Sequence, residues 1–171
     1  MKKLEELLSG GDLRSIGQSN HLVSIIITQK DFDQLFQLLS NENRLIAMRA
    51  ADAIEKITIK SPQYLSKHKT ALLALCYTAK EKELKWHLAL LLPRLKLNDA
   101  ELGKAWDTLT KWAKDKTNSR IVRVNAVQAL FELLIQQDAL IDDFKLTLLE
   151  IETENIPSIN ARIRLLRKQY K

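Results

Sequence analysis

The chain contains one cysteine, three prolines and four glycines in 171 residues. With Cys76 alone, no disulfide can close within the chain, and neither a CxxC nor a zinc-knuckle spacing exists. Gly10, Gly11 and Gly17 cluster near the start and only Gly103 follows them, so nearly the whole chain lacks the glycine-rich loop that cradles phosphate. Apolar runs are short: those at 25–27 and 88–92 fall far below the ~18 residues of a membrane span. The opening MKKLEE carries lysines with no apolar stretch behind them and does not read as a secretory leader. A single thiol, no leader and no span together predict a reducing, cytoplasmic setting.

What is present is ordinary for a globular protein: 46% hydrophobic residues, 28% charged residues and 19.7 kDa. That size predicts one domain with a core that needs neither disulfide nor metal. The net charge of +6 and a pI near 9.4 permit a phosphate-bearing partner without requiring one.

The informative feature is self-similarity. The segments IAMRAADAIEKI (46–57), LKWHLALLLPRL (84–95), VRVNAVQALFEL (122–133) and, more loosely, INARIRLLRKQY (159–170) begin at offsets of 38, 38 and 37 residues. Each is apolar at its first, fifth, eighth and twelfth places, one face of an α-helix. In the third copy these are Val122, Ala126, Ala129 and Leu133. Alternating with them, second amphipathic helices are expected over 31–40, 62–80, 99–116 and 139–154. Boundary residues agree: Ser61-Pro62 and Asn98-Asp99 read as caps, Asn118-Ser119 as a turn with a cap, and Pro157 as a helix start. Pro93 falls inside the second copy and should kink or shorten it. No segment reads as a strand.

These residues resemble a known family. Val122-Arg123-x-x-Ala126-x-x-Ala129-Leu130-x-x-Leu133 looks like the second helix of a HEAT repeat, in the armadillo-type superfamily, and 46–57 matches it except that Ala47 stands where the arginine would be. The runs 48–57 and 86–95 look like those of a group of small bacterial HEAT-like proteins. The resemblance implies an all-α, right-handed α–α superhelix of about five helical hairpins with a period of about 38 residues, and it implies no activity. The expected organisation is a single domain over 1–171, with a degenerate capping repeat at 1–30 and repeats at 31–60, 62–97, 99–137 and 139–171. Within the capping repeat, 4–8 forms a cap and 13–29 the second helix.

Chemistry is sparse. His21, His68 and His87 lie on different repeats with no His, Cys or carboxylate pair at i+3 or i+4, so neither a metal site, a cofactor site nor a catalytic constellation is expected. In a HEAT stack the second helices line the concave side. Their fourth, seventh and eleventh places share an edge that carries Arg49, Asp52 and Lys56, then His87 and Arg94, then Asn125, Gln128 and Glu132, then Arg162. Arg49, Lys56, Arg94 and Arg162 against Asp52 and Glu132 leave that strip mildly basic. Trp86 sits at a place matched by Met48, Val124 and Ala161: it is either exposed as an anchor or packed between repeats. Trp106 and Trp112 share the apolar face of their helix and should be core. The expected function is a non-enzymatic scaffold that binds another protein on the concave face through Arg49, Asp52, Lys56, Trp86, His87, Arg94, Asn125, Gln128 and Arg162. The alternative is a nucleic-acid binder that uses the basic strip with Arg162, Arg164, Arg167, Lys168 and Lys171 of the last helix. The acidic residues of the preceding helix, Asp142, Asp143, Glu150, Glu152 and Glu154, are placed to neutralise it in part.

Overall fold

A computed structural model describes residues 2–10 and 19–169. All regular structure in these residues is helical. The helices that carry the repeated segments are α4 (Arg44–Lys60), α6 (Lys82–Leu91), α8 (Arg120–Leu133) and α10 (Pro157–Arg167). They start 38, 38 and 37 residues apart, the offsets of the sequence copies. Between them run α5 (Lys69–Thr78), α7 (Asp99–Lys114) and α9 (Ile141–Glu152), while α1 (Lys2–Leu8), α2 (Ser19–Ile25) and α3 (Gln29–Gln37) precede α4. Of the expected helix at 13–29, the part at 13–18 lies outside the described residues.

Contacts divide the chain into two compact units, Met1–Ala71 and Leu72–Lys171, with the boundary inside α5. In the first, α1, α2 and α3 pack on α4. In the second, α6, α8 and α10 form one layer, α8 lying between its neighbours, and α7 and α9 form another against it. The helical periodicity explains which face goes inward. Ile46, Ala50, Ala53 and Ile57 are all buried, as are Val122, Ala126, Ala129 and Leu133, and Ile159, Ile163 and Leu166. Alanine at two of the four places lets helix axes approach closely where α7 and α6 meet α8. Trp106 and Trp112 are buried as expected, and the Trp106 indole Nε1 donates to Asp143 Oδ2 at 2.7 Å.

Helix ends follow local chemistry. Asn98 caps α7 with a full capping box through Glu101, and Thr28 caps α3 the same way through Asp31. Pro93 acts where expected: α6 stops at Leu91 and continues as a 3₁₀ turn over Leu92–Arg94. The backbone freed there is taken up by Gln136, whose Nε2 donates to Leu95 O at 2.8 Å and whose Oε1 accepts from Leu97 N at 3.1 Å.

The expected helix at 62–80 divides instead. Residues Pro62–His68 wind as a 3₁₀ helix and only Lys69–Thr78 is α-helical. The tighter segment is tied to α3 and the residues just before it. Tyr64 Oη donates to Ile27 O, Gln29 donates to Tyr64 O, and His68 Nε2 lies 2.6 Å from Asp33 Oδ1 with its ring stacked on Phe36. Hydrogen bonds from Gln29 and then His68 hold the Asp33 carboxyl below its usual range.

Candidate interaction surface

Within the 72–171 unit, the outward edge of the second-helix layer is polar and already ordered. Arg162 on α10 donates from Nη1 to Gln128 Oε1 on α8 at 2.7 Å. Gln128 in turn donates from Nε2 to Glu132 Oε1 at 2.8 Å, one helical turn onward. Asn125, one turn before Gln128, is half-buried. Three of the expected residues, Asn125, Gln128 and Arg162, thus lie along one polar edge spanning two adjacent repeats. Trp86 is half-buried on α6, its ring 5.2 Å from that of His87, and its counterparts Val124 and Ala161 are half-buried too. In this unit the place that Trp86 occupies is thus partly open to solvent. Arg94 is half-buried in the 3₁₀ turn that ends this helix.

Two residues of the expected strip lie inside. His87 is buried, at 5% exposure. Arg49 is completely buried, and its Nη1 donates to the carbonyls of Leu8 (2.7 Å), Ser9 (3.2 Å) and Gly10 (2.6 Å). A cation at the carbonyl end of α1 satisfies acceptors that have no intrahelical donor. Arg49 therefore serves the first unit's own packing and is corrected out of the solvated strip. Arg49→Met should raise hydrogen exchange across 2–8 while the amides of α8 keep their protection; unchanged exchange in α1 would refute this capping role. Met48, the counterpart of Trp86 in this unit, is buried as well. Asp52 and Lys56 form an i,i+4 ion pair at 2.7 Å, and Lys56 also donates to Asn20 Oδ1 at 2.8 Å.

Sequence reasoning missed a buried charged contact of the 72–171 unit. Arg123 is 2% exposed; its Nε donates to Ala113 O at 2.7 Å, and its two terminal nitrogens each donate to Glu154 at 2.8 Å. This arginine stands at the second place of the HEAT-like pattern, which was the available signal. The Arg123 hydrogen bonds hold the Glu154 carboxyl below its usual range. The acidic helix meets the last one through the bidentate pair of Glu152 with Arg167 at 2.8 Å. The other α9 acids go elsewhere: Glu150 to Lys114, Asp142 to Lys145 and Asp143 to Trp106.

Among the described residues no group of three His, Cys, Asp or Glu side chains is placed to hold a metal ion, and no helix is long and apolar enough to cross a membrane. Burial pushes the Cys76 thiol well above its ordinary pKa, which leaves it a poor nucleophile.

Paired amphipathic helices repeating every 37–38 residues define a helical-repeat protein. The chain belongs to the HEAT repeat family: the model of a HEAT repeat domain matches residues 2–170. No curated protein matches the chain, and no solved structure does. HEAT repeats generally mediate protein–protein interaction, and the family is typically a non-enzymatic scaffold.

Proposed function

We propose that the protein is a non-enzymatic interaction module that holds a segment of another protein along the second-helix layer of its 72–171 unit. Trp86 is the apolar anchor, and Asn125, Gln128 and Arg162 supply the polar register. The observation that carries this reading is the Arg162–Gln128–Glu132 chain, which fixes half-buried donors and acceptors in the same helix layer that carries the half-buried Trp86. Side chains held before binding lose little entropy on contact, and a large aromatic partly open to solvent is the residue type that concentrates binding energy.

On this edge the Arg162 guanidinium and the Gln128 amide are already engaged with each other. A polar protein segment, which can exchange hydrogen bonds with them, suits the edge better than a polyphosphate chain does.

The test is Trp86→Ala combined with affinity capture from the source lysate, read by mass spectrometry. Truncating a half-buried indole costs about 2 kcal/mol, so the unfolding midpoint should fall by about 4–8 °C. The proteins captured by the wild type, at high salt and after nuclease treatment, should be absent from the variant's eluate. A midpoint lower by more than about 10 °C would show that Trp86 is a packing residue, and an unchanged eluate would move the anchor elsewhere.

A further inference from the structure

Besides the basic last helix, which carries Arg162, a second basic cluster lies away from the edge described above. Segment 77–85 carries three lysines and two glutamates; segment 111–120 carries three lysines, one arginine and one aspartate. These nineteen residues hold a net charge of +4. The two segments are brought together at one end of the 72–171 unit, where the loops preceding α6 and α8 lie side by side. Lys85 Nζ donates to Asn118 Oδ1 at 2.9 Å and sits 5.9 Å from the Trp112 ring centre, which joins the loops.

Local acids are mostly occupied by internal work. Asp115 accepts from the Thr117 hydroxyl and backbone N–H and from Asn118, and these hydrogen bonds hold its carboxyl below the usual range. Glu154 is held by Arg123. By contrast, Lys80, Lys111 and Arg120 are exposed and have no ion pair among the described residues; Lys116 feels Glu154 only at longer range, and Lys82 is exposed with Glu83 at 3.9 Å. The amide end of α8 adds to the positive potential. It has no acid in its first turn and receives no side-chain cap hydrogen bond, whereas α3, α4 and α7 are all capped.

One further residue gives the patch a preference. Tyr77, in the last turn of α5 and three residues before Lys80, is 84% exposed. It is the only large apolar side chain exposed within the two segments. A bare aromatic ring beside a row of cations is the combination that binds single-stranded nucleic acid, because the cations follow the phosphates while a base stacks on the ring. An acidic peptide would gain nothing from the ring without an apolar pocket next to it. A bilayer would call for a stripe of inserting side chains that this end does not carry.

We infer that the loop end formed by 77–85 and 111–120 is a binding site for single-stranded nucleic acid, with Lys80, Lys82, Lys116 and Arg120 on phosphates and Tyr77 stacked on a base. This site is separate from the proposed protein-binding edge, and neither depends on the other.

The test is fluorescence anisotropy with labelled dT20 and U20, measured at several salt concentrations. For four to five phosphate contacts the logarithm of affinity should fall against the logarithm of salt with a slope of about −3, since each single-strand contact contributes about −0.7. The variant K80E/K116E/R120E should bind at least ~30-fold more weakly near 50 mM salt, with the slope reduced by about 2. Its neutral counterpart K80Q/K116Q/R120Q should lose affinity in the same direction, and both should keep the wild-type helical circular dichroism. Tyr77→Ala should weaken single-strand binding about 10-fold and leave a 20-base-pair duplex unaffected. R164E/K168E on the last helix should change affinity less than ~3-fold. The dT20 and U20 arms separate DNA from RNA, and equal affinity places recognition on phosphate and base faces alone.

The inference is overturned by no binding near 50 mM salt, by reversal variants that bind like wild type, or by an equal loss from R164E/K168E. Equal affinity for polyglutamate or phosphatidylserine vesicles would reassign the patch to acidic proteins or membranes. An unaffected Tyr77→Ala would remove the single-strand preference.

Discussion

Glu154→Gln is expected to lower the midpoint of thermal unfolding by about 5–10 °C, although residue 154 lies beyond the end of its helix. The reason is its partner. Arg123 is 2% exposed, and Glu154 is the carboxylate that meets two of its nitrogens. Removing one member of a buried pair leaves the other charge desolvated, at a cost of about 3–5 kcal/mol when both are fully buried. The Glu154 side chain retains 13% exposure, so water recovers part of this and about 2–3 kcal/mol remains. At this chain length each kcal/mol moves the midpoint by about 2–4 °C.

The pH dependence is a second readout. The folded-state pKa of Glu154 lies below its reference of 4.5 because Arg123 favours the ionised form. The pair's stabilisation is therefore complete above about pH 4.5 and is lost as pH falls through the lowered folded value. The gap between wild type and Glu154→Gln should stay constant from pH 7 down to about 5 and close in more acidic solution. Asp33 and Asp115 act in the same direction in both proteins and so cancel in the comparison. Replacing both partners, as Arg123→Met with Glu154→Gln, should cost less than the sum of the single changes. A Glu154→Gln midpoint within 2 °C of wild type would mean that solvent already screens the pair.

The contrast between Arg123 and the residues read from sequence shows where legibility ends. The register of the repeat, the buried places within each copy, the Asn98 cap and the effect of Pro93 all depend on residues within a few turns of one another. Such features are written in local order, and the structure repeats them. The fate of a polar side chain is not. Arg49 and Asp52 lie three residues apart on one helical edge, yet Arg49 is consumed by carbonyls about 40 residues away and Asp52 pairs with Lys56. Arg123 and Glu154 are 31 residues apart, and Gln136 reaches back 41 residues to Leu95. Helical periodicity says which way a side chain leaves its own axis and nothing about which neighbouring element covers it. The 3₁₀ winding at 62–68 was hidden for the same reason. Its cause is contact with α3, and Tyr64 and His68 alone do not announce those partners.

The largest effect is expected for the last helix. Deleting 157–171 removes Ile159, Ile163 and Leu166, each at most 1% exposed. At about 1.5–3 kcal/mol for each buried aliphatic side chain, roughly 5–9 kcal/mol is lost. That is comparable with the whole stability of many domains. The surfaces uncovered belong to α8 and α9, on which α10 packs, and they are apolar because a helical repeat expects a neighbour there. Gln128 loses Arg162, and Glu152 loses both nitrogens of Arg167. The truncated chain should lose cooperative unfolding, bind a hydrophobic dye and sediment as aggregates at micromolar concentration. Ile163→Ala is the milder version, costing about 2–5 kcal/mol with the helix retained. A monomeric truncation with a sharp thermal transition would show that the preceding hairpins close their own core and that α10 is an accessory. Loss in both variants, graded by the apolar surface removed, would show that α10 is the terminal cap on which the layer carrying Gln128 and Trp86 depends.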